Sequence, residues 1–269
     1  MTDQPPAPAA APEAETKTTP PARRPVSLYL STAALAVSVI ALGVTALSLG
    51  GGQDFGSRVR TYLIENPQVL DEVIQAREQQ AEVVRVGSID EAIRANPALL
   101  AADPRDPAFG PADAKVTVYE FFDYRCPGCK AVAAQFSALV DANPDVRFVF
   151  KDWPILDRGD DTTSQYAARA ALAAHQQGKY LPVYTALMAE PSLTPESIDA
   201  ILVSQGVDLA RAKAAMVSPE MTRHVTDIHT VAAGLSLHGT PSFIINGKAS
   251  PSIDPAEVAR LIQEARDKA

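Results

Sequence analysis

Seven residues, Val116 to Phe122 (VTVYEFF), are β-branched or aromatic except for Glu120; then come Asp123, Tyr124 and Arg125, the tetrad Cys126-Pro127-Gly128-Cys129, and KAVAAQFSALVDAN. The first run has the length and composition of a buried strand. Behind the cysteines, Val132, Phe136, Leu139 and Val140 fall on one face of a helix. A strand must therefore turn directly into a helix with both cysteines of the chain at the junction, and that requirement narrows the possible folds sharply.

The junction also determines what the sulfurs can do. A thiolate at a helix N-terminus faces unpaired backbone N–H groups and the positive end of the helix dipole, so its pKa falls from about 8.5 toward the range 3.5–7.5. Cys126 is the candidate nucleophile on this ground. Cys129, one turn further in and more enclosed, is the candidate resolving thiol, which breaks a mixed disulfide rather than forming one. Pro127 suits the first helical turn because the N–H it lacks would be unpaired there.

Two other readings of the CxxC pair compete. A zinc site would need His224 and His229 as partners, but they lie in a helical stretch, and residues five apart diverge by roughly 140° at 3.6 residues per turn. A purely structural disulfide would close a four-residue loop and restrict the unfolded chain little. No metal or other cofactor is expected from the motifs. His175 and His238 have no visible partner and read as surface or capping residues.

At 269 residues the chain can bury a core without cross-links. A net charge of -8 with no basic stripe argues against a nucleic-acid partner. Residues 1–25 hold seven of the 22 prolines and few large apolar side chains, which predicts a disordered tail. Residues 26–50 (VSLYLSTAALAVSVIALGVTALSLG) carry no charge and are long enough to cross a hydrocarbon core of about 30 Å as a helix. Arg23 and Arg24 abut this span, which places the N-terminus in the cytoplasm and the remainder outside it.

From 55 to 102 the pattern predicts an amphipathic helical stalk. Leu63, Val69, Leu70, Val73, Ile74 and Val84 supply the apolar positions, and Asn66 with Pro67 supplies a cap. A related unit recurs at Ile93, Asn96, Pro97, Leu99 and Leu100. Either the two helices lie on the globular domain, or the stripe pairs with further copies of the chain to give a homo-oligomer.

Downstream, Val146 to Lys151 reads as a second core strand, residues 162–237 as several Ala-rich helices, and Phe243 to Lys248 as a hairpin turning on Asn246-Gly247. Asp254-Pro255-Ala256-Glu257 caps a last helix whose Val258, Leu261 and Ile262 point inward.

EFFDYRCPGCK, a long helical region and then HGTPSFIINGK together resemble the DsbA-like branch of the thioredoxin superfamily. The likeness is to its membrane-tethered or stalk-bearing members, such as the suppressor of copper sensitivity protein C and Com1-type proteins. It covers roughly Arg60 to the C-terminus. It implies an α/β thioredoxin fold over 103–269 with a helical insertion at about 162–237, behind the membrane helix and stalk. It also implies that Cys126 and Cys129 form a redox-active disulfide, and that Thr240-Pro241 is a cis dipeptide beside which an extended substrate chain pairs. Glu120 matches a buried acid that takes the Cys129 proton when the mixed disulfide collapses. The other reading of Glu120 is an ion pair with a nearby lysine such as Lys151.

The implied function is disulfide formation, isomerisation or reduction in exported proteins, in the periplasm at the inner membrane, with a membrane redox partner. Gly128 stands where the strongly oxidising members carry His, and Thr240 is more common in isomerase-type relatives. A different class of function stays open on the sequence: a redox-inactive chaperone or Cu(I) carrier using the two sulfurs as soft ligands.

Overall fold

The computed structural model describes residues 37–44 and 55–268. The expected tail, and the expected membrane span apart from 37–44, lie outside the described residues. Residues 37–44 are helical with exposed side chains, and among the described residues no helix is long and apolar enough to cross a membrane. Contacts divide the chain after Glu72 into Met1–Glu72 and Val73–Ala269.

In the first unit, residues 55–65 are helical. Asn66 does not cap the helix that follows, as its sequence position suggests. Its side-chain amide donates to the Tyr62 carbonyl at 2.9 Å, so it satisfies the end of the preceding helix instead.

The second unit takes up helix α1 (Gln68–Ala95) from Val73 onward. Only its last turns are buried, through Ile89 and Ile93, so the folded body begins before the expected boundary at 103. The second Asn-Pro unit forms a short 3-10 turn, Pro97–Leu100, with no side-chain cap at Asn96. Leu70, Val73, Ile74, Val83 and Val84 stay exposed along α1.

The body is built on a five-stranded mixed sheet in the order β1-β3-β2-β4-β5. Its strands are β1 (Ala108–Phe109), β2 (Thr117–Phe122), β3 (Arg147–Asp152), β4 (Ser242–Ile245) and β5 (Lys248–Ala249). β2 and β3 are parallel and joined through α2 (Pro127–Ala142), while β4 pairs antiparallel with β2. The hairpin to β5 turns at Asn246 (φ 45) and Gly247 (φ 77), two left-handed residues as a tight primed turn requires.

Alternation along the strands sorts side chains into two layers. Val118, Phe122, Phe148, Phe150, Phe243 and Ile245 face α2, the insertion and the last helix α8 (Pro255–Asp267). Tyr119, Phe121, Val149, Trp153 and Ile244 face Ile89 and Ile93 of α1 and Ile228 and Ala232 of α7 (Pro219–Gly234). The insertion between β3 and β4 comprises α3 (Thr163–His175), α4 (Tyr180–Ala189), α5 (Pro195–Ser204), α6 (Leu209–Met216) and α7. α8 starts as expected, with Asp254 accepting from the Ala256 N–H at 2.9 Å.

Candidate functional site

At the C-terminal end of β2 the chain turns through Asp123-Tyr124-Arg125 into α2, with Cys126 as its N-cap and Pro127 in its first turn. The Asp123 carboxylate, 1 % exposed, holds this turn together. One oxygen accepts from the Arg125 N–H (2.8 Å) and the Ser164 hydroxyl (2.9 Å), the other from the Ile155 (2.8 Å) and Leu156 (3.0 Å) N–H groups. Lys130, the residue after the motif, donates its ammonium to the carbonyls of Leu187, Met188 and Glu190 at 3.2, 3.4 and 2.5 Å, at the C-terminal end of α4. A cation there complements the negative end of the helix.

The sulfurs are unequal. Both are free thiols, Cys126 at the edge of the surface and Cys129 fully enclosed. Cys126 is lowered from 9.0 to about 5, chiefly by the hydrogen bond from the Cys129 thiol, with help from Thr240 and the N–H groups of Cys129 and Gly128 against the cost of burial. Cys129 is pushed far up, first by burial and then by donating to Cys126 and by the nearby charge of Glu120. Protonated, the Cys126 thiol donates to the Thr240 carbonyl at 3.2 Å, and the Thr240–Pro241 bond is cis. A Cβ on Gly128 would stand 3.3 Å from Pro241 Cδ and 3.8 Å from Cys126 Sγ, so glycine leaves room for the Pro241 loop to sit close.

Beneath the cysteines Glu120 is completely buried, with the Tyr184 hydroxyl donating to its carboxylate at 3.3 Å. Burial raises its pKa well above the ordinary carboxyl value. Cys126, Cys129, Thr240, Pro241 and Glu120 thus belong to one locality although the outermost two lie 121 residues apart in sequence.

The thioredoxin family model matches residues 102–264, and the N-terminal domain model of the copper resistance protein ScsC matches residues 53–82. The chain belongs to the thioredoxin family. Its N-terminal segment resembles that of ScsC. A thioredoxin-like oxidoreductase from Silicibacter pomeroyi is 38 % identical with a TM-score of 0.58, the match covering 65 % of this chain and 99 % of that one. BcfH of Salmonella enterica Typhimurium is 26 % identical with a TM-score of 0.58, covering 83 % and 99 %. A linker-deletion mutant of Proteus mirabilis ScsC, 22 % identical with a TM-score of 0.60 and coverage of 81 % and 95 %, shares the fold. Among curated proteins, the Na(+)/H(+) antiporter NhaA 3 of Salinispora tropica is 32 % identical over 153 residues. That match takes 56 % of this chain but 23 % of the antiporter, so the chain spans about a quarter of the length of the curated relatives it matches.

Glu120 does not pair with Lys151: Glu120 is level with Phe150, and Lys151, the next residue along β3, projects to the opposite face of the sheet. Lys151 pairs with Asp106, which also accepts from His224 Nε2 at 3.0 Å. His229 accepts from the Trp153 indole at 3.1 Å, so His224 and His229 serve separate partners. Asp103, Asp106 and His224 do cluster, but Arg105 and Lys151 already neutralise the two carboxylates. His175 is half-buried, with its ring edge-on to Tyr180, rather than on the surface. Asp123, Lys130 and Tyr184 escaped the sequence reading. Asp123 and Lys130 flank the motif, whereas Tyr184 is 64 residues from its partner Glu120 with no periodic signal to join them.

Proposed function

We propose that the chain is a thiol–disulfide oxidoreductase acting through Cys126 and Cys129. The observation that carries this reading is the inequality of the two thiols. Cys126, 8 % exposed at the edge of the surface, has its thiol pulled down to about 5, while Cys129 is completely enclosed and its thiol is pushed far up. Exchange needs that division: one sulfur forms the mixed disulfide with a substrate, and the other attacks Cys126 to release it. Two equivalent thiolates would suit a Cu(I) carrier better. Thr240 and Pro241, beside Cys126, are the proposed contact for an extended substrate backbone, and Glu120 is the proposed acceptor of the Cys129 proton. Oxidation, isomerisation and reduction use the same steps and differ in which disulfide is supplied. The Silicibacter pomeroyi relative, described as an oxidoreductase, supports the class of reaction.

Cys129→Ser removes the resolving sulfur and leaves the nucleophile in place. Incubated with a disulfide-bonded protein, this variant accumulates a covalent adduct through Cys126 that reductant releases, whereas wild type does not. Absence of any adduct on a folded variant overturns the reading.

The further proposal is that residues 26–50 anchor the chain in the inner membrane with the catalytic domain in the periplasm. There it acts on exported proteins, is served by a membrane redox partner, and self-associates through residues 55–102. The uncharged run and the exposed stripe at Leu70, Val73, Ile74, Val83 and Val84 support this. The full chain is expected in the membrane fraction and, solubilised in detergent, to scatter light as an oligomer. Recovery without membranes rejects the anchor, and a monomeric mass rejects the self-association.

A further inference from the structure

Asp152, the last residue of β3, is as deeply buried as Glu120. Its two oxygens accept from the Tyr180 hydroxyl at 2.7 Å and the Tyr124 hydroxyl at 3.0 Å, and no cation lies within hydrogen-bond reach of it among the described residues. In the parallel register Glu120 is level with Phe150 and Phe122 with Asp152, so both acids project from the same sheet face, one step apart on neighbouring strands. The rings of Tyr124, Tyr180 and Tyr184 pack between and around them. Tyr124 itself precedes Cys126 by two residues.

The groups that face Asp152 are these. β2 supplies Glu120, the turn before α2 supplies Tyr124, and α4 supplies Tyr180 and Tyr184. More remotely, His224 of α7 favours its charged form and Asp106 opposes it. Burial raises Asp152 to about 7, with the two tyrosine hydroxyls pulling it back, and its negative charge in turn raises Glu120 further. Two buried carboxyls without a counter-cation do not both ionise readily, and the better solvated one takes the charge first. With two hydroxyl donors at normal distance, that one is Asp152.

We propose that Asp152 is a positioning residue for the resolving step, its tyrosine-held carboxylate deciding when Glu120 is free to receive the Cys129 proton. The inference rests on the thiol–disulfide exchange proposed above. In that step the Cys129 thiol gives its proton to the Glu120 carboxylate, and the thiolate so formed attacks Cys126 Sγ. The Cys126–Cys129 bond forms as the bond from Cys126 to the substrate sulfur breaks, and the substrate leaves with the electron pair as a thiolate. The dithiol of this chain is oxidised and the substrate sulfur reduced. A charged Asp152 keeps Glu120 protonated and so withholds the acceptor. A side chain at 152 that cannot take the charge would let Glu120 ionise, and so accept the proton, at lower pH.

The experiment forms the glutathione mixed disulfide of Cys126 at acid pH in the full chain, jumps the pH in a stopped-flow instrument, and records glutathione release against final pH. In Asp152→Asn the acid limb is expected at lower pH, with release about tenfold faster below the wild-type midpoint, the change that one unit of displaced carboxyl titration produces. In a Glu120→Gln background the same substitution should shift nothing. An unmoved limb, a limb displaced upward, or a shift that survives Glu120→Gln overturns the inference. If Asp152→Asn does not fold, Tyr180→Phe weakens the hold on the anion and is expected to move the limb the same way by less, with no shift counting against the inference. Failure of wild type to release glutathione at any pH condemns the exchange reading itself, whereas wild-type release with unshifted variants condemns only the role of Asp152.

Discussion

Asp106→Ala is expected to lower the stability of the folded body by about 3–5 kcal/mol, the scale set by removing one partner from a buried ion pair. Asp106 and Lys151 are 4 % exposed or less, and the one carboxylate satisfies both the Lys151 ammonium and His224. Without it, an ammonium is left in a largely apolar layer beside Phe121 and Trp153 with no counter-charge, and the His224 N–H loses its acceptor. For a body of about 200 residues the loss corresponds to a fall of about 6–20 °C in Tm. Replacing both members of the pair, as Asp106→Leu with Lys151→Met, should cost less than the single substitution, because no orphaned charge remains. Thermal unfolding followed by circular dichroism separates the two variants. A single variant as stable as the double would show that the pair is not isolated from water.

That network explains where the sequence was legible and where it was not. Chemistry carried by adjacent residues could be read directly: the strand running into a CxxC helix, Asn246-Gly247 at a hairpin and Asp254 heading α8, whereas the cis Thr240-Pro241 before β4 was legible only through the family resemblance. Each is a local conformational demand that only certain residues meet. The segment containing Asp106, ADPRDPAFGPADAK, has the Pro and Asp content of a solvent loop, yet it carries an edge strand and a buried carboxylate. Nothing within it announces Lys151, 45 residues on, or His224, 118 residues on. Glu120 was legible as a buried acid through the family resemblance, but its partner was not. The choice between Lys151 and Tyr184 is made by the period-two alternation of β3, which sends Lys151 to the other layer. Asp152 looked like the residue just past a strand ending at Lys151, and its importance follows only from the tyrosines that α4 and the Cys126 turn bring over it.

The stability of the reduced protein should rise with pH between about 5 and 9, while that of the disulfide form lacks this slope. The unfolded Cys126 thiol titrates near 9.0 and the folded one near about 5. In that interval the unfolded chain holds a proton that the folded chain has released, so stability increases with pH by up to about 1.4 kcal/mol per unit. The contribution is absent below pH 5, amounts to about 2–3 kcal/mol at pH 7, and is complete above pH 9. Glu120 and Asp152 act in the opposite sense, since burial raises both and their ionisation costs folding free energy. They are present in either redox form, so they cancel to first order in the difference between reduced and oxidised protein. The raised Cys129 thiol begins to cost folding free energy only as the unfolded thiol ionises, near 9.0 at the upper edge of this window. The quantity to measure is therefore the Tm of the reduced protein minus that of the oxidised protein, plotted against pH. It should climb from pH 5 toward pH 9 in wild type and lie flat in Cys126→Ser compared with a Cys126→Ser/Cys129→Ser control. A flat wild-type difference would mean that Cys126 is not a thiolate at neutral pH. Because Gly128 supplies no imidazole, the slope has to come from the hydrogen bonds of Cys129, Thr240 and the first N–H groups of α2. A fold that stabilises its reduced form in this way makes its disulfide easier to reduce as the pH rises.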